Sequence, residues 1–123
     1  MGGDAVTGLR MIDYLGLFEQ DAQTDAVVLF GEPGTDNEQE VAALVLAGQI
    51  RKPVVAMIAG EFQERYPPGV SFGHAAAMIS DSQKSATAKR RQLRDAGVHV
   101  ALSLEDIAPM LRAALEMERR REQ

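Results

Sequence analysis

The sequence predicts an α/β protein built on an open parallel sheet. Short, continuous apolar runs recur at Ala26–Phe30, Pro53–Ala59 and Val98–Leu102. Stretches with the apolar spacing of helices separate them. Strands that alternate with helices in this way lie parallel and are joined by right-handed crossovers.

Taken in order, Met1-Gly2-Gly3-Asp4 reads as a tight loop. Leu9 to Glu19 then sets Leu9, Met11, Ile12, Leu15 and Phe18 at helical spacing, with Thr7 as a cap. Ala26–Phe30 is apolar at every position, as suits a parallel strand covered on both faces, and it ends at Gly31-Glu32-Pro33-Gly34. Thr35 and Glu38 have capping-box spacing, and the stripe Val41, Leu44, Val45, Ile50 predicts a helix over Asp36–Gln49. The second strand, Pro53–Ala59, opens on a proline, which a strand tolerates at its first position.

Residues 60–73 form a long loop holding Pro67-Pro68-Gly69, and loops of this length are more often functional than idle. A helix over Ser85–Ala96 stops at Gly97, a residue suited to the left-handed position past a helix end. After the third strand, Ser103 caps a turn through Ile107, and Pro109 opens a last helix through Leu111, Leu115 and Met117. Residues 119–123 are expected to be a solvated, frayed tail. Three strands make a thin sheet for this architecture.

The 123 residues, 46% hydrophobic, suffice for one domain with a core. A net charge of -5 argues against nucleic acid as a partner, because phosphate-backbone binding needs a basic surface. With no cysteine there is no disulfide, thiolate nucleophile or zinc–thiolate site, and a reducing, cytoplasmic setting is the default. No apolar run approaches the roughly 20 residues of a membrane span, and the start lacks the order of a signal peptide, so the chain reads as soluble and without a membrane partner.

The stretch Val70 to Ile79 places His74 between Gly73 and the small residues Ala75, Ala76 and Ala77. In an open α/β sheet, ligands collect at the carboxyl ends of the strands, and Glu32 closes the first strand while His74 follows the loop after the second. A carboxylate on one imidazole nitrogen fixes the tautomer and makes the other a better nucleophile or base. Gly73 and Ala75 leave room beside the ring for a phosphoryl group, and a helix amino terminus there would supply N–H donors to an anion. On the residues alone, the alternative stands that His74 ends a loop and Glu32 is a solvated turn residue. His99, inside a valine-rich strand, reads as a packed residue. Met78, Met110 and Met117 read as core filler, and Asp36, Glu38 and Glu40 as first-turn charge favourable to the helix dipole rather than a metal site.

Read in order, Gly2-Gly3-Asp4, Gly31-Glu32-x-Gly34, Lys52-Pro53-Val54-Val55, Ile58-Ala59-Gly60, Pro67-Pro68-Gly69, Gly73-His74-Ala75 and Ala96-Gly97-Val98 resemble the carboxy-terminal, CoA-ligase domain of the succinyl-CoA synthetase α subunit. Phe72-Gly73-His74-Ala75 and Thr87-Ala88-Lys89 look closer to the ATP-citrate lyase and citryl-CoA synthetase branch. The resemblance implies a flavodoxin-like sheet and a phosphohistidine at His74, phosphorylated by ATP or GTP, that passes its phosphoryl group to a carboxylic acid before coenzyme A forms the thioester. It implies Glu32 as the partner that orients His74, Gly31, Gly34, Gly73 and Ala75 as the surrounding loop positions, and Gly2-Gly3-Asp4 as a contact of the acid.

Pro33-Gly34-Thr35 stands where the family has Ile-Gly-Gly, Ala76 replaces a common glycine, and Ser80–Lys84 replaces a glycine-rich segment. The family domain begins two strands earlier, so residues 1–123 correspond to part of it. No cofactor is expected on this chain alone. CoA, the nucleotide and Mg belong to the complete enzyme, whose ATP-grasp β-type subunit and CoA-binding domain or chain are the implied partners. An exposed sheet edge would also permit a homo-oligomer. The competing reading is a catalytically incomplete flavodoxin-like module that serves in binding, assembly or regulation.

Overall fold

A computed structural model describes residues 8–60 and 85–123. Within them, β1 (Val27–Gly31), β2 (Val54–Ile58) and β3 (His99–Ala101) form one parallel sheet in the order β1-β2-β3. The register sets Val27 beside Val54 and Val55 beside His99. The helices are α1 (Met11–Gln20), α2 (Asn37–Leu46), α3 (Ala86–Ala96) and α4 (Leu104–Arg121). The open parallel sheet with flanking helices is the architecture the sequence predicts.

Strand position decides burial. The central strand β2 buries Val54, Val55, Ala56 and Ile58, so side chains on both of its faces are covered. The expectation of two covered faces fails for β1: Leu29 is buried, whereas Val28 and Phe30 are 47% and 58% exposed. Helix packing explains this, because α4 packs on β2 and β3, and the Val28–Phe30 face of β1 lies beside the part it covers. Leu15, Val41, Ala42, Ile50, Leu93 and Val98 complete the core around Leu29 and β2. His99 is half-buried and paired in β3, as expected of a strand residue.

Helix ends depart from the expected bounds for local reasons. α1 starts at Met11, and the Arg10 N–H donates to the Asp13 carboxylate at 2.7 Å, so Asp13 supplies the reciprocal cap; the expected cap, Thr7, lies outside the described residues. α2 stops at Leu46 rather than near Gln49, because Gly48 takes φ 76° and its neighbour's N–H, that of Gln49, turns back to the Leu44 carbonyl at 3.0 Å. α3 begins as expected, with Ser85 Oγ accepting from the Ala88 N–H at 3.2 Å. At its end Gly97, at φ 103°, donates to Arg94 O and Val98 donates to Leu93 O at 2.9 Å.

The last helix is one element, not a turn followed by a helix at Pro109. Pro109 lies inside α4 at its sixth position, where its missing N–H forgoes the bond to the Glu105 carbonyl. The basic end expected to fray is helical through Arg121, where Arg119, Arg120 and Arg121 complement the negative end of the helix dipole and Arg121 pairs with Glu118 at 3.2 Å. Met117, expected in the core, is half exposed.

Polar ties fix the helices to the sheet. The Glu19 carboxylate accepts the N–H groups of Arg51 and Lys52 at 3.0 and 3.2 Å, and Lys52 Nζ donates to the carbonyls of Phe18 and Asp21. Arg10 grips Glu40 with two nitrogens, each at 2.8 Å, and so joins α1 to α2. Among the described residues no helix is long and apolar enough to cross a membrane.

Candidate functional site at the carboxyl end of β1

The chain leaves β1 at Gly31, turns through Glu32–Asp36 and enters α2 at Asn37. Gly34 takes φ 93° in this turn, a conformation that side chains other than glycine adopt only with strain. Gly31 is required for a different reason. A Cβ there would stand 2.4 Å from Glu38 Oε1 and 2.7 Å from Ile58 Cδ1. The strand therefore has to end on a bare backbone for the Glu38 carboxylate to lie against it.

Glu38 and Lys89 form an ion pair at 2.5 Å, with side chains 2% and 0% exposed. Lys89 has three N–H donors, and each has an acceptor: Glu38 Oε2, Thr35 Oγ1 at 3.1 Å and the Glu32 carbonyl at 2.5 Å. Glu38 accepts in turn from the Glu32 N–H at 3.3 Å and from Thr35 Oγ1 at 3.1 Å. Both backbone polar groups of Glu32 are thus held by one buried pair, while its own side chain is half-buried. Burial pushes the Lys89 ammonium below the ordinary lysine range, and the carboxylates of Glu38, Glu32 and Asp36 act in the opposite direction.

The neighbouring strand end is tied down too. Arg90, one residue on from Lys89, donates to the Ile58 carbonyl at 2.6 Å, where β2 ends. Alongside β1, an apolar groove of about 550 Å³ runs between the strand and α1; Met11, Tyr14, Phe18, Val28 and Phe30 line it, and Glu32 and Thr35 stand among its polar residues.

Of the expected site residues, Gly31, Glu32 and Gly34 come together in this turn. Gly2, Gly3, Asp4, Gly73, His74 and Ala75 lie outside the described residues, as do Pro67-Pro68-Gly69 and Met78. Glu38 and Glu40 do stand in the first turn of α2, with Asp36 exposed at its N-cap, and the two glutamates also have charged partners: Glu38 faces Lys89 inside the protein and Glu40 faces Arg10. The Thr35–Glu38 spacing does bring the two side chains into contact, although the glutamate reaches Lys89 and Glu32 rather than closing a capping box. A signal for the pair existed in the sequence. Ala86, Lys89 and Leu93 share one stripe of α3, all buried, and a lysine inside an apolar stripe calls for a buried partner.

A sequence model of the CoA-ligase family matches residues 1–99. This chain belongs to the CoA-ligase family. It is 45% identical over 116 residues to subunit alpha 1 of the ADP-forming succinate–CoA ligase of Archaeoglobus fulgidus, covering 94% of this chain and 38% of that one. It is 34% identical over 116 residues to the probable ATP-citrate synthase subunit 1 of Schizosaccharomyces pombe, covering 94% and 19%. Among solved structures, the ATP citrate lyase of Methanothrix soehngenii in complex with citrate and coenzyme A superposes with a TM-score of 0.87 at 30% identity, over 98% of this chain and 20% of that chain. The chain therefore spans two fifths or less of the length of these relatives, and its fold is that of a CoA-ligase domain.

Proposed function

We propose that the chain carries the phosphoryl-transfer part of a nucleotide-dependent acid–CoA ligase of the succinyl-CoA synthetase or citrate lyase type. On this reading residues 1–123 are part of a CoA-ligase domain that works with an ATP-grasp β-type subunit and a CoA-binding domain or chain. A ring nitrogen of His74 attacks the γ-phosphorus of ATP or GTP, and the nucleoside diphosphate leaves. A carboxylate oxygen of the acid substrate then attacks that phosphorus, the N–P bond breaks, and an acyl phosphate forms. Attack of the CoA thiol on its carbonyl carbon, with loss of the thiol proton, gives the thioester and releases inorganic phosphate.

Within this scheme the Glu32 carboxylate accepts a hydrogen bond from one ring N–H of His74 and leaves the other nitrogen as the nucleophile. Gly73 and Ala75 leave space for the phosphoryl group, and Gly2-Gly3-Asp4 contacts the acid. Gly31 and Gly34 let the turn that carries Glu32 adopt its path. The observation that supports the reading most is the anchoring of Glu32 through both of its backbone groups at the carboxyl end of β1, in a chain of this family. Sheets of this kind bind ligands at that end.

The test is incubation with γ-labelled ATP, Mg and an ATP-grasp partner subunit, followed by acid treatment. Acid-labile label on the wild-type chain, absent from His74→Asn and strongly reduced in Glu32→Gln, is the expected result. A chain that takes no label with any ATP-grasp subunit overturns the reading. It would then favour the second one, a binding or assembly module, for which the exposed apolar flank of β1 at Val28 and Phe30 is the motivating feature.

A further inference from the structure

The Lys89–Glu38 pair is the most unusual feature of the described residues: a lysine and a glutamate, each almost fully removed from water, on two different helices. Buried ion pairs are weak devices for stability, because desolvating both charges offsets most of their attraction, and apolar replacements of the same shape are often equally stable. What an apolar pair cannot supply is direction. Here the hydrogen bonds left over after the ion pair has formed go to Thr35 and to the two main-chain groups of Glu32.

We propose that Lys89 and Glu38 are positioning residues for Glu32: the ion pair clamps the Glu32 N–H and C=O and so fixes where its carboxylate stands at the carboxyl end of β1. The inference rests on the reading of Glu32 as the group that orients the phosphoryl-carrying histidine, and it adds two residues to that site which touch neither substrate nor the reacting atoms. Gly31 belongs to the same device, since its missing Cβ is what admits the Glu38 carboxylate to the strand end. Thr35 bridges the pair at the turn. The clamp draws on β1, α2 and α3 together, so Glu32 moves only if these elements move relative to one another.

The discriminating variant is Lys89→Met/Glu38→Met, which removes both charges and keeps the side-chain lengths. The expected result is a folded protein with a urea midpoint close to wild type, in which the Glu32 amide exchanges its hydrogen at least about tenfold faster and the rate of phosphoryl labelling falls by about tenfold or more with the half-saturating ATP concentration unchanged. Wild-type labelling and wild-type Glu32 protection in a folded double variant overturn the proposal. If the wild-type chain takes no label, the phosphohistidine reading falls by itself, and the clamp is judged on amide exchange alone. Should the double variant not fold, native-state exchange of the wild type decides. A Glu32 amide that opens only with global unfolding supports the clamp, and one that exchanges as fast as a frayed terminus refutes it.

Discussion

Gly31→Ala is the sharpest probe of the strand end. The added methyl carbon would lie 2.4 Å from Glu38 Oε1, 2.9 Å from Glu38 Cγ and 2.7 Å from Ile58 Cδ1, where ordinary contacts begin at about 3.4 Å. Glu38 has no room to yield, because Lys89, Thr35 and the Glu32 N–H hold its carboxylate, and Ile58 is fully buried. Forcing a methyl into a packed site costs about 1–3 kcal/mol. If the carboxylate is driven off Lys89, breaking a buried pair costs about 3–5 kcal/mol. We therefore expect a loss of about 3 kcal/mol in urea unfolding, with a lower midpoint and an unchanged slope. The matched control is Gly16→Ala in the middle of α1, where a Cβ meets nothing within 4 Å. That change removes a helix-interior glycine and is expected to raise stability by about 0.5–1 kcal/mol. A Gly31→Ala protein within about 0.5 kcal/mol of wild type would refute the geometry of the clamp, since surface-like substitutions fall in that range.

Other outcomes follow from burial and charge. Leu93 is fully buried on α3 against the sheet, and Leu93→Ala should lower stability by about 2–5 kcal/mol through lost transfer energy and the cavity left behind, as read by urea unfolding. The alkaline side of the stability profile reports on Lys89. Its folded-state pKa lies below the unfolded value, so over the window below about pH 10.5 the unfolded chain binds more protons and the contribution of this group to stability rises with pH. Unfolding curves collected from about pH 8 to about pH 10 should show that rise in wild type and lack it in Lys89→Met/Glu38→Met.

Much of this molecule was legible from local pattern. Three runs of apolar residues gave the strands to within about one residue at each end, because a strand buried in a parallel sheet needs little more than apolar side chains and a turn signal after it. Gly97 marked the end of α3, since only glycine takes φ 103° without strain. The Gly31-Glu32-x-Gly34 turn was placed at the right strand end for the same kind of reason. Where local pattern misled, a competing local term won. Gly48 ended α2 early, and the favourable charge of three arginines kept the end of α4 helical.

Only the tertiary structure decided which polar residues pair inside the protein. Glu38 reads in the sequence as a first-turn carboxylate and Lys89 only as part of the Thr87-Ala88-Lys89 stretch, and 51 residues separate them along the chain. Their pairing depends on α2 and α3 packing together, a distance relation that no helical or strand period encodes. The same holds for the exposed flank of β1, where a continuous apolar run promised two covered faces and α4, packed on β2 and β3, left Val28 and Phe30 open. The sequence by itself determined the elements, the turn and the family motifs, because those follow from neighbours a few residues apart. The structure decided what holds Glu32 in place, because that depends on two charges brought together from α2 and α3 and stripped of water.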